Sequence, residues 1–152
     1  MKRIATLVIL ALLVFSMLPF STFAAKDNSN YDEIIYLDNG DYITVEISQT
    51  ASRATTVKNS KTYTYRNNSG DELWRAVLSG TFTYNGSTAT CTASSCDVTI
   101  SNSAWSVSSK TVGKSGGTAT TELTMVKKFI GITIDTETLS MSLTCSPTGV
   151  FS

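Results

Sequence analysis

The sequence predicts an all-β protein: a single antiparallel β-sandwich, immunoglobulin-like in architecture, of about seven to nine strands after an N-terminal signal helix. Three observations predict it. Residues 74–91 alternate apolar and polar about a central Asn-Gly pair. Of the 128 residues that follow Ala24, 41 are Ser or Thr, which suit the outer faces of strands and disfavour long helices. Strand-like runs recur about every 10 residues, separated by Gly or Asn turns.

The central run is W-R-A-V-L-S-G-T-F-T-Y-N-G-S-T-A-T-C. Asn85-Gly86 predicts a type I′ turn, whose two central residues both need positive φ. That turn would pair Tyr84 with Ser87, Phe82 with Ala89 and Gly80 with Cys91. Trp74, Ala76, Leu78, Phe82 and Tyr84 would share one face with Ala89 and Cys91, and the opposite face would carry hydroxyls.

From the N-terminus, Lys2 and Arg3 precede an apolar run over 4–20, interrupted by Pro19, and small residues follow at 22 and 24 in Thr22-Phe23-Ala24. This is the pattern of a signal peptide cleaved after Ala24, favoured over an uncleaved anchor by the proline and the small-residue site. The protein is therefore expected to be secreted, and its 128 mature residues suffice for one domain with a proper core.

Residues 25–57 read as an acidic arm, with six acids against Lys26 alone up to residue 50. Asn39-Gly40 marks a hairpin within it, and 49–59 reads as a connector. The domain proper is expected over 58–152, where nine Lys or Arg over the last hundred residues meet six acids. That balance is too dilute for a nucleic-acid footprint.

Within the domain, 62–66 alternates Thr and Tyr as a strand, and 67–71 is a loop leading into the central hairpin. Residues 92–96 read as a small-residue loop, followed by a strand over 97–101. The apolar parity then slips from Val98 and Ile100 to Trp105 and Val107, which suggests a bulge near Asn102 and Ser103. A turn at 114–117 precedes alternation over 118–126. The stretch 127–135 resists placement: Phe129, Ile130, Ile132 and Ile134 surround Gly131 without clean alternation. Residues 138–146 form a strand with Leu139, Met141, Leu143 and Cys145 on one side.

Three cysteines in an exported chain invite one disulfide. Parity points Cys91 and Cys145 into the same core, and their bridge would restrict the unfolded chain by about 4 kcal/mol. Cys91–Cys96 would yield about 2 kcal/mol by the same reasoning, and an unbridged chain stays open as a third arrangement. Cys96 lies where no pattern orients it and is expected as a free thiol.

Chemistry is sparse. The chain has no histidine, which removes Ser-His-Asp and Cys-His nucleophilic sites and the usual zinc sites. Asp135 and Glu137 share a face of an expected strand, as a glycosidase pair would, but solvated carboxylates account for them. Asp38-Asn39-Gly40-Asp41 lacks the later ligands of a calcium loop. No catalytic residue, metal site or cofactor is expected, and no binding residue stands out.

Taken as a set, K-T-Y-T-Y at 61–65, L-W at 73–74, G-T-F-T-Y-N-G-S-T-A-T-C at 80–91, S-A-W at 103–105 and L-T-C-S at 143–146 resemble a family of small secreted proteins of Gram-positive bacteria (Firmicutes) whose function is unknown. The resemblance covers roughly residues 53–152. It implies a secreted single domain with Cys91 and Cys145 paired; Cys96 departs from the pattern.

The expected function is a non-catalytic extracellular module that binds a cell-surface, wall or protein partner, without nucleic acid and without membrane contact once the leader is removed. A bacteriocin-like toxin and a carboxylate-dependent wall hydrolase are the alternatives.

Overall fold

The computed structural model describes residues 31–48 and 56–152, so the leader, its cleavage point at Ala24 and most of the 49–59 connector lie outside the described residues. Eight strands follow one another: β1 (Glu33–Tyr36), β2 (Tyr42–Ile47), β3 (Thr56–Arg66), β4 (Glu72–Tyr84), β5 (Ala89–Ile100), β6 (Trp105–Ser115), β7 (Thr118–Phe129) and β8 (Ile132–Thr144). They form two antiparallel sheets, β1-β2-β3-β4-β5 and β6-β7-β8, and no helix occurs among the described residues. Within each sheet every strand neighbours the next in sequence. Both sheets are therefore simple meanders, without the Greek-key connections of the immunoglobulin-like architecture expected from the sequence.

Alternation places the core. β4 turns Trp74, Ala76, Leu78 and Phe82 inward, and β3 turns Val57, Tyr63 and Tyr65 inward beside them. The facing sheet contributes Trp105, Ala119, Leu123, Met125, Met141 and Leu143 to one continuous cluster, with Leu139 packed at its margin. Gly80 falls at an inward position because the Phe82 ring lies over it. A Cβ there would come within 2.4 Å of that ring.

The acidic arm is part of the sheet. Its described residues form β1 and β2, pair with β3, and add Ile43 and Val45 to the common core. The boundary expected after residue 57 falls inside β3.

The central hairpin forms in a different register. Tyr84 pairs with Ala89 and Phe82 with Cys91 across a loop of residues 85–88. Asn85 Oδ1 accepts the amides of Ser87 and Thr88, closing a longer Asx-type loop in which Gly86 alone takes positive φ. The small-residue loop expected at 92–96 is instead continuous strand, since backbone pairing with β4 suffices without bulky side chains. Its ladder opposes Phe82 to Cys91 and Thr81 to Ala93, leaving Thr92 as a bulge. That extra residue flips the parity, so Cys91 and Cys96 both face the core.

All three cysteines are buried, unbonded thiols, so the expected Cys91–Cys145 bridge is not formed in this structure. The Cys91 thiol donates to the Ala93 carbonyl and the Cys145 thiol to that of Ser146, each within its own strand segment. Burial pushes all three thiols above their ordinary range, with the Thr121 hydroxyl and Lys110 drawing Cys96 back and Lys114 drawing back Cys91. Thiols held protonated in this way are poor nucleophiles.

The parity slip near Asn102 is not a bulge but the passage between sheets. Amides of Ser101 and Asn102 both donate to the Leu73 carbonyl, and Trp105 N donates to Asn102 O at 3.0 Å. The tight passage sets Trp105 against the first sheet. The outer edge of β5 is then capped from β6, where Lys110 Nζ donates to Cys96 O at 2.7 Å and Lys114 Nζ to Thr92 O. Lysines on an edge also oppose strand addition.

Trp105 contacts Tyr65 and Trp74 at centroid distances of 5.4 and 6.4 Å, joining the sheets through aromatic rings. Trp105→Ala is expected to cost about 3–5 kcal/mol, read as a lowered urea midpoint. A cost below about 1 kcal/mol would mean that the sheets hold together without this contact.

Candidate functional site

One end of the molecule gathers the β1–β2 loop, the β3–β4 loop, the passage between the sheets and the β7–β8 hairpin. The first two loops share a design. Leu37 N bonds Asp41 O while Gly40 N bonds Leu37 O, and Asn67, Gly70 and Asp71 repeat the pattern. Gly40 and Gly70 take φ of 85° and 94°, the left-handed residue of a three-residue hairpin loop. Asn39 thus needs no positive φ, and its side chain is free for other bonds.

These loops frame a polar rim above the aromatic cluster. Tyr65 stacks on Trp74 with centroids 5.1 Å apart and carries its hydroxyl outward. That hydroxyl donates to Asp41 Oδ2 at 3.0 Å, lies 3.4 Å from Glu137 Oε1 on β8, and accepts from Asn39 Nδ2 at 3.3 Å. Asp41 Oδ1 accepts the Asn68 amide at 3.2 Å, tying the two loops together. One phenol therefore connects β3, both loops and the opposite sheet.

Electrostatics fix the protonation of this rim. Burial, reinforced by Asp41 and Glu137 and opposed by the Asn39 bond, raises the Tyr65 phenol well above its ordinary range, so it acts as a donor rather than a base. Burial also raises Glu137, with the charges of Asp135 and Asp41 adding and the Tyr65 bond opposing. The two carboxylates singled out in the sequence are thus engaged structurally. Glu137 is held by Tyr65, and Asp135 Oδ1 accepts the amide of the following Thr136 at 2.8 Å. Among the described residues no three His, Cys, Asp or Glu side chains are placed to hold a metal ion.

Beyond the rim runs the stretch that the sequence could not place. β7 and β8 continue past Lys127↔Asp135 through Lys128↔Thr133 to Phe129↔Ile132, with a register shift at Lys127/Lys128. Past Lys128, which donates its amide to Ala104 O, neither strand has a neighbour but the other. The two-residue turn Ile130-Gly131 has φ of 50° and 77°, the type I′ geometry expected at Asn85-Gly86 and found here instead. Ile130 is the one non-glycine residue at positive φ among the described residues. For a β-branched side chain this costs about 1–3 kcal/mol.

The side chains at this tip are apolar and uncovered: Phe129 is 64% exposed, Ile130 84%, Ile132 69% and Ile134 57%. Lys127 and Lys128 stand directly behind them, and among the described residues the one ion pair is Arg75–Glu72. The aromatics at 63, 65, 74 and 105, which on an exposed face could stack on a sugar, are core residues, while Tyr84 is half-buried. Tyr36 is exposed and lies 6.1 Å from the buried Tyr42 ring. A second depression of about 530 Å³ lies over the three-stranded sheet, lined by hydroxyls of Thr111, Thr120, Ser140 and Ser142 with Glu122 as its carboxylate. No opposed acid, base or nucleophile converges there.

The Asp41–Tyr65–Glu137 contact escaped sequence reasoning because its members lie 24 and 72 residues apart. The apolar tip left a trace in the sequence: a Lys-Lys pair before aliphatic residues that break the strand alternation. In comparisons with known proteins, no family model, no curated protein and no solved structure matches the chain.

The raised Glu137 carboxyl gives a pH dependence of definite sign. A carboxyl raised by folding stabilises the fold while protonated, and that contribution is lost as pH rises through its folded value. Glu137→Gln keeps a neutral partner for Tyr65. It is expected to exceed the wild type in stability at pH 7, with the gap closing below about pH 4. Urea midpoints of both proteins across that range check it; a gap independent of pH would show that burial does not disfavour the charge.

Proposed function

We propose that the protein is an exported, non-catalytic binding module, built as a β-sandwich, that engages an extracellular or cell-surface partner through the end bearing the β7–β8 hairpin. The observation that carries this reading is the tip itself. Four large apolar side chains stand uncovered on and beside a two-residue turn, and the one on the turn is in a backbone conformation that disfavours it. Contiguous exposed apolar surface of this kind marks interaction sites, and local strain gathers where a fold serves function. The Tyr65 rim supports the reading from below, because it anchors the base of the hairpin through Glu137. Export is supported by the Lys2-Arg3 leader and the small residues before Ala24.

Pull-down with cell envelopes of a Gram-positive host tests the module. Wild-type protein is expected to co-sediment, and a Phe129→Ser/Ile132→Ser variant to lose at least about tenfold in apparent affinity, equivalent to about 1.4 kcal/mol. Equal binding by both would remove the hairpin from the function.

Export also brings the buried thiols into an oxidising compartment, where we propose that Cys91 and Cys145 join. Their amides bond to consecutive carbonyls of the β6–β7 turn, Cys91 to Gly116 and Cys145 to Gly117, which brings the two backbones to one place. Protein recovered from the medium is expected to weigh two hydrogens less than after reduction, with Cys96 alone alkylated when unfolded without reductant. Three alkylated cysteines would refute the pairing.

A further inference from the structure

We propose that the β7–β8 hairpin is a membrane-interface anchor whose partner is an anionic lipid bilayer surface. The proposal rests on the binding-module reading above and names its partner. It departs from the sequence expectation, which foresees no membrane contact after the leader is removed.

Shape is the first argument. The tip is a projection, not a groove: past Lys128 the two strands pair only with each other. Phe129 and Ile132 flank the turn, Ile130 caps it, and Ile134 lies further back on β8 at the register shift, level with the two lysines. Apolar side chains arrayed around a narrow projection are hard to cover with one flat protein surface. Fluid acyl chains cover them from every side.

Chemistry is the second. The tip holds one phenyl ring and three isoleucines, with no Tyr, Trp or Arg of the kind that dominates protein–protein hot spots. Position is the third. Lys127 and Lys128 sit two to three residues behind the turn, about 7–10 Å along a strand at about 3.3 Å per residue. That is the depth to which apolar faces enter the headgroup and acyl boundary, about 5–10 Å. The ammonium groups would therefore lie at the level of lipid phosphates when the tip is immersed. Asp135 opposes Lys127 in the ladder, whereas Lys128 faces Thr133 and meets no carboxylate across it.

The backbone supplies an independent argument. A type I′ turn takes Asn or Gly at its first position at low cost, yet this one holds Ile130 at φ 50°. The turn thus carries the side chain that best serves insertion and worst serves the fold.

The test uses the chain as its host releases it, wild type and variants alike, so that the leader's fate is common to every sample. Vesicles of phosphatidylcholine with an equal share of phosphatidylglycerol are compared with phosphatidylcholine alone by co-sedimentation. Wild-type protein is expected to bind the anionic vesicles more tightly. Ile130→Asn should lower that binding about tenfold while raising the thermal midpoint, since Asn tolerates the left-handed turn. Lys127→Gln and Lys128→Gln should each lower it about fivefold on anionic vesicles only. Phe129→Trp should show blue-shifted emission with vesicles, reporting immersion of the tip itself.

Absence of vesicle binding, or binding unchanged by Ile130→Asn, would overturn the proposal. Envelope binding without vesicle binding would overturn the lipid partner alone and leave the module reading intact. A wild-type dimer that Ile130→Asn converts to monomer would assign the tip to a second copy of the chain instead.

Discussion

The contact of Trp105 with Trp74 and Tyr65 is what the remainder of the structure hangs on. Two meanders of consecutive strands have no hydrogen-bonded ladder in common, and isolated backbone bonds such as Cys91 N to Gly116 O aside, their union relies on side chains. The aromatic trio supplies the largest of these at the end where the chain passes between sheets. Its geometry follows from a short segment: two amides on Leu73 O and the Asn102 turn bring Trp105 to the start of its strand already facing inward. At the far end Phe82 and Phe151 play a smaller version of the same part, with rings 5.2 Å apart. The chain end is drawn in there by bonds between Thr144 and Ser152.

The same trio sets the character of the surface above it. Because Tyr65 packs against both tryptophans, its hydroxyl is directed to one place, where Asp41 and Glu137 meet it. The rim is accordingly a network of polar links between both loops and the opposite sheet. The hairpin that rises beside it is the opposite, an extension with no third strand, apolar and backbone-strained.

Alternation was legible wherever one face of a strand is buried. Trp74 to Phe82, Leu123 with Met125, and Met141 with Leu143 are inward as their spacing requires. Turn residues announced loops but misled on their type, since Asn85 uses its side chain to widen a loop that its backbone could have closed tightly. The inward side of Cys96 was not legible, because the bulge at Thr92 belongs to a pair of strands and leaves no mark in either one alone. The slip at Asn102 was visible yet misread, as a change of sheet and a bulge shift the pattern alike. The hairpin tip could not be placed because its apolar residues do not face a core at all. Long-range polar contacts such as Asp41 with Tyr65 are beyond any local pattern.

The bulge at Thr92 has one more consequence. Cys91 and Cys96 are an odd number of steps apart, and only the surplus residue between them lets both sulfurs look inward. Loss of a single codon at that point would leave the composition nearly untouched and the downstream ladder intact. It would remove the bulge rather than displace a sulfur: four steps apart on a regular ladder, Cys91 and Cys96 would still lie opposite Phe82 and Leu78 and still look inward. The bulge is thus what lets an odd spacing in the chain coexist with two thiols on one face of the sheet.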